Sequence, residues 1–164
     1  MDWKQAQTIA RDLMDAHGLT HVPFKWDNAR RRFGVTTHKV TCIGRVVVKE
    51  ELVSIGLSKP LTEVNDEACV RDTILHEIAH AKAGHSAGHN YQWKLVAMGL
   101  GCNPSHTCGE GVKLVAGKYQ ATCPCGLDHN MYRMPQRRKI CIRCKASLDF
   151  KRVHGTPHVS QKTV

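Results

Sequence analysis

The stretch His76-Glu77-Ile78-Ala79-His80 sets two imidazoles and a carboxylate at a spacing that suits metal-assisted hydrolysis. On a helix, residues four apart lie on nearly one face and about 6 Å apart along the axis. Two imidazoles so placed can share one Zn²⁺, each nitrogen at roughly 2.0–2.1 Å. Glu77 is turned too far round the helix to bind that ion comfortably, yet it reaches a water on it. Zn²⁺ lowers the pKa of such a water from about 15.7 toward 7, and a carboxylate can then take its proton at neutral pH. That is the chemistry of peptide-bond hydrolysis. A pentad with two free positions also fits an amphipathic helix with two surface histidines, so its surroundings decide.

Those surroundings read as a helix over 65–84. Asn65 or Asp66 can cap its start, with Asp66 and Glu67 near the positive end of the helix dipole. Val70, Ile74, Ile78 and Ala81 recur at helical spacing as a buried face, and Gly84 supplies the stop. His76 and His80 fall off that apolar stripe.

A catalytic zinc needs a third protein ligand and an open position. No Asp or Glu occurs between Glu77 and Glu110, so the candidates are His85, His89 and His106, with Cys102 and Cys108 as outsiders. A continued helix would turn His85 about 140° away from His80. His85 also falls one residue short of the H-E-x-x-H-x-x-G-x-x-H spacing. His89 follows Gly88 and precedes a second helical stretch, Asn90 to Gly99, with Tyr91, Trp93, Leu95, Val96 and Met98. A turn over Gly84 to Gly88 would bring His89 back over the first helix. His89 is preferred, with His85 kept as the alternative.

Three pieces of the chain resemble the SprT-like family of zinc metallopeptidases. They are Ile55-Gly-Leu-Ser-Lys-Pro-Leu61, Asp72-Thr-Ile-Leu-His-Glu-Ile-Ala-His80 and Ala87-Gly-His-Asn-Tyr-Gln-Trp93. The resemblance implies an α+β fold with a small zincin-like catalytic domain. It also implies a catalytic zinc on His76, His80 and His89, the last matching the family's Gly-His segment followed by an aromatic residue. Glu77 would be the base. The family usually has Gly-Pro-Glu or similar where this chain has Asn90-Tyr91-Gln92, so no acidic residue is expected to act there. The likeness continues into a C-terminal cysteine module and implies action on DNA-associated or DNA-cross-linked proteins.

Eight cysteines without a visible secretory signal read as metal ligands or reduced thiols rather than disulfides. Cys141-Ile-Arg-Cys144 is a two-residue-spaced knuckle, and Cys123-Pro-Cys125 is a tighter pair upstream. Together they resemble a zinc ribbon, whose four thiolates leave no open position and so hold a structural zinc. His129 could stand in for one of them. So short a module buries little core, and zinc is what folds it. Cys42, Cys69, Cys102 and Cys108 show no comparable pattern and read as thiols.

Charge divides the chain at the same place. Residues 1–110 carry 13 Lys+Arg against 12 Asp+Glu, whereas residues 111–164 carry 11 against 2. Arg133, Arg137, Arg138, Lys139, Arg143 and Lys145 crowd the ribbon, with Tyr119 and Tyr132 available to stack. A basic module bearing aromatics is the electrostatic footprint of nucleic-acid binding, against a merely solvated basic surface. Arg30-Arg31-Arg32 reads as a solvated turn or a second phosphate contact.

The positioning elements follow. Asp2 to Ala16 reads as an amphipathic helix; Val22 to Trp26, Val35 to Val40, Arg45 to Val48 and Leu52 to Leu57 read as strands. An extended substrate would pair with a sheet edge, for which the 52–58 strand is the candidate. The expected domains are a catalytic one over 1–116, a ribbon over 117–150 and a flexible basic tail over 151–164. No run approaches the roughly 18 apolar residues of a membrane span. The expectation is a cytoplasmic or nucleoid-associated monomer that is not secreted. It takes a protein substrate, DNA and two Zn²⁺ ions, one catalytic and one structural. The alternative is a non-proteolytic zinc-ribbon DNA-binding protein with a vestigial metal site. A three-histidine ribonuclease spaced H-x-x-x-H-x-x-x-x-x-H is disfavoured, because neither His85 nor His89 falls at the right step from His80.

Overall fold

Asp2 accepts the amides of Lys4 and Gln5 and so starts α1 (Trp3–Ala16) in a computed structural model that describes residues 1–104, 112–153 and 159–161. His106, Cys108 and Glu110 lie outside the described residues. The described chain divides into two compact units, Met1–Lys113 and Leu114–Ser160. The first mixes helices with a three-stranded sheet, the second is built of short strands, and the fold class is α+β.

In the first unit α1 is followed by β1 (Phe24–Asp27), β2 (Gly34–Ile43) and β3 (Val46–Ser58). The sheet order is β1-β3-β2, with β1 parallel and β2 antiparallel to β3. Two of the expected strands, 45–48 and 52–57, are one. The charged run Lys49-Glu50-Glu51 joins them, pairing regularly with Thr41, Val40 and Lys39 of β2 between two register irregularities. β3 is also the central strand and not an edge. Residues 54–58 are buried without alternation, as in a strand covered on both faces. The edge nearest the metal helix is β2.

Ser58 ends β3 and caps α2 (Lys59–Val64), accepting the Leu61 amide, while Pro60 sits in the first turn where no amide is missed. Asp66, not Asn65, caps α3 (Glu67–Ala83); the Asn65 side chain instead bonds Leu61 and Lys113. Gly84 ends α3 with φ of 86°, and a 3₁₀ turn (His85–Ala87) leads to α4 (Tyr91–Gly99), capped by Asn90. The core joins Ala6, Ile9, Ala10 and Met14 of α1 to Ile55 and Leu57 of β3 and to Val70, Ile74 and Ile78 of α3. Each large aliphatic there contributes roughly 1.5–3 kcal/mol by burial. Of the apolar residues of α4, Trp93 is fully buried, whereas Tyr91, Leu95 and Met98 stay exposed. The helix packs through Trp93 and Ala97 against Ala79 of α3.

From Lys113 on the strands are short: β4 (Lys113–Val115), β5 (Tyr119–Thr122), β6 (Asp128–Met131), β7 (Lys139–Ile140), β8 (Ser147–Leu148) and β9 (Lys151–Arg152). β5 pairs with β6 and β9, and β7 pairs with β8. The stretch expected as a tail therefore begins as a strand.

Candidate metal centres and their cleft

Three residues of α3, His76, Glu77 and His80, face β2 and α4 and define the first site together with His89. His76 and His80 stand one turn apart, and the loop after Gly84 returns His89 over them. The three Nε2 atoms form a nearly equilateral triangle, with 3.2 Å between His76 and His80 and 3.1 Å from each to His89. Ligands at about 2.05 Å from one tetrahedral ion are separated by about 3.3 Å, so this donor set fits a metal such as zinc. Burial, reinforced by the neighbouring imidazoles, lowers the pKa of His76 and His80 to about 4. Both are thus neutral at pH 7, the form in which imidazole binds metal.

Trp93 forms the floor. Its ring stacks on His80 at 5.1 Å and meets His76 and His89 edge-on at 4.7 and 4.5 Å. Ala87 is buried beside it, which fixes the loop just before His89. In the sequence Trp93 closes the family-like segment Ala87–Trp93 and shows no role of its own; it lies four residues, about one helical turn, after His89.

Glu77 is 6% exposed and lies against β2. Its Oε2 is 2.7 Å from Thr36 Oγ1, which is also 2.8 Å from the Glu77 carbonyl oxygen. Gly34 leaves room for the carboxylate: a Cβ there would stand 2.4 Å from Oε1. Burial raises the Glu77 pKa to about 7, opposed by the Thr36 hydrogen bond and by Arg32. A cleft of about 520 Å³ opens over these groups, lined also by Arg31, Arg32, His38 and His85. Thr36 and Gly34 were not found from sequence, since only the packing of β2 on α3 brings them to Glu77.

His85 does not join the triangle. Its ring faces His38, 6.0 Å away, and its amide bonds Glu50. Cys102 is also elsewhere, buried with its thiol pointing to the carbonyls of Asp72 and Asn103 and its pKa raised to about 12 by that burial. Arg32 pairs with Asp27, and Arg31 is exposed at the cleft wall.

In the second unit Cys123, Cys125, Cys141 and Cys144 converge, their sulfurs all within 4.8 Å of one another. Cys123 and Cys144 approach to 3.0 Å and Cys125 and Cys141 to 3.8 Å. Backbone amides of Cys144 and Arg143 aim at the Cys141 sulfur and draw its pKa down to about 5, favouring the thiolate that metal needs. His129 stands against Cys141 and replaces none of the four. This cluster fits the structural zinc of a ribbon. The six basic residues are all exposed. Tyr132 is less available for stacking than its sequence position implies, because its hydroxyl donates to the Val115 carbonyl at 2.7 Å. Exposed Met134, Ile140 and Ile142 lie in the same basic stretch. Among the described residues no helix is long and apolar enough to cross a membrane.

Comparison with known proteins agrees with this arrangement. Protein SprT of Pseudomonas putida (strain W619) is 31% identical over 116 residues, covering 62% of this chain and 69% of that protein. Protein SprT of Pseudomonas entomophila (strain L48) is 30% identical over the same shares. No solved structure matches the chain. The SprT-like family profile matches residues 7–112, a span that holds all three imidazoles, Glu77 and the strand that supports it. By that match this chain belongs to the SprT-like family.

Proposed function

We propose that the chain is a zinc-dependent metalloendopeptidase, brought to DNA by its basic ribbon and acting on proteins bound or cross-linked there. The observation that carries this reading is Glu77: a buried carboxylate beside three converging imidazoles, with a pKa near 7 and a hydroxyl partner on the cleft wall. A purely structural metal site has no use for such a group. A zinc ion held by His76, His80 and His89 would polarise a carbonyl and acidify the water it binds. Glu77 takes a proton from the attacking water and returns it to the leaving amine, a task suited to a pKa near the working pH. Trp93 keeps bulk water from the far side of the imidazoles. An extended polypeptide laid along the β2 edge adds as a strand, which brings its carbonyls past Glu77.

The ribbon's excess of cations supports the DNA part. Nothing in it reads a base sequence, so substrates are selected by effective concentration on DNA rather than by cleavage motif. The deciding experiment is Glu77→Gln. The variant should bind zinc and DNA as the wild type does and fail to cleave a DNA-bound protein. Equal cleavage by both, or none by the zinc-loaded wild type, would remove the protease reading.

A further inference from the structure

Glu50 projects from β3 toward the loop that carries the third imidazole, and the reaction above makes no use of it. Its Oε1 accepts the His85 amide at 2.6 Å and lies 3.7 Å from His38 Nε2. The carboxylate also fits closely against Gly84, where a Cβ would stand 3.3 Å from the same oxygen. The His38 side chain is only 5% exposed, so the carboxylate is backed on the sheet side by a fixed ring.

The loop needs such a hold. Gly84 and Gly88 turn with φ of 86° and 51°, conformations open to glycine at the cost of a large entropy loss on ordering. Ala87 packs on Trp93, the Gly84 amide bonds the His80 carbonyl at 3.1 Å and the Asn90 amide bonds the Ala87 carbonyl at 2.9 Å, but these contacts tie the loop to the helices. Glu50 ties it to the sheet. A carboxylate accepting a backbone amide is a charge-assisted bond, stronger than a neutral one.

We propose that Glu50 is a positioning residue, clamping the Gly84–Gly88 loop so that His89 meets His76 and His80 at one ion. The idea rests on reading the three imidazoles as a metal site.

The test is zinc affinity of the full chain by chelator competition, where the phase lost in His89→Ala identifies the histidine site. Glu50→Ala should weaken that phase about 10–100-fold, the usual range for groups that orient metal ligands, and spare the ribbon phase. Glu50→Gln keeps an oxygen for the His85 amide and should recover most of the affinity. Hydrogen exchange of the His85 amide in zinc-free protein gives a second readout: slow in wild type and Glu50→Gln, fast in Glu50→Ala. Wild-type zinc affinity with a protected amide in Glu50→Ala would overturn the clamp. Absence of a histidine-site phase in the wild type would instead refute the metal reading, and the amide exchange would still decide whether Glu50 clamps the loop.

Discussion

Thr36 Oγ1 lies 2.7 Å from Glu77 Oε2 and 2.8 Å from the carbonyl oxygen of the same residue. A hydroxyl has one hydrogen to donate and lone pairs with which to accept. With Glu77 ionised, Thr36 can donate to the carboxylate. With Glu77 protonated, it can donate to the carbonyl and accept from the carboxyl. Glu77 thus keeps a partner in both protonation states, as a group that takes and returns a proton requires.

Thr36→Val removes that hydroxyl at nearly constant volume. A hydrogen bond to a charged group is worth about 1.5–3 kcal/mol, so kcat on a protein substrate should fall roughly 10–150-fold. Zinc content should not change, because the ligands are elsewhere. Steady-state kinetics with metal analysis checks both, and an unaltered kcat would strip Thr36 of its role.

Gly34→Ala acts on the other side of the same carboxylate. The new methyl would sit 2.4 Å from Oε1 and 2.6 Å from Cγ of Glu77, so the side chain must move. Misplacing a reacting group by about 1 Å can cost on the order of 100-fold in rate. The expected variant folds, holds zinc and is about 100-fold slower; wild-type kinetics would mean that Glu77 moves without consequence.

The raised pKa of Glu77 has a thermodynamic signature in zinc-free protein. Burial holds it at about 7 against an ordinary 4.5, so the folded chain binds this proton more tightly than the unfolded one. The linked stability is complete below the unfolded pKa and is lost as pH rises through the folded value, on the order of 3 kcal/mol in all. Glu77→Gln carries no such penalty. In denaturant titrations the zinc-free variant should match wild type near pH 4.5 and surpass it at pH 8; equal midpoints at pH 8 would show a hydrated carboxylate.

What the sequence disclosed and what it hid follow from range. The pentad, its helix and the stop at Gly84 are local, set by 3.6-residue periodicity and caps, and they read correctly to within two residues. The thiolate pairs were legible because each knuckle is local too. Strand order was not, because alternation of apolar residues reports which face a side chain takes and not which neighbour a strand has. The unbroken burial of 54–58 marks a central strand, and only the sheet shows it. Helix α2, Lys59–Val64, is too short for helical periodicity to show, although Ser58 and Pro60 are start signals. The supports of the site, Thr36 and Gly34 on Glu77 and Glu50 on His85, join residues 35 to 43 positions apart, and no local pattern encodes such contacts.

The ribbon's charge makes a prediction about salt. Each phosphate neutralised contributes about 0.9 to the slope of log affinity against log salt for duplex DNA and about 0.7 for single strands. Arg137, Arg138 and Lys139 are exposed and adjacent, so replacing all three with alanine should lower the slope by up to about 2–3 and weaken binding irrespective of sequence. Cys141→Ser should have the larger effect. It removes a buried sulfur from the four-thiolate set, and a module of this size loses its fold with its metal. DNA binding should then largely vanish while zinc on the histidines is retained, which fluorescence anisotropy and metal analysis would read together. Binding that ignores salt, or that survives Cys141→Ser intact, would leave the ribbon a structural module and move the DNA contact elsewhere.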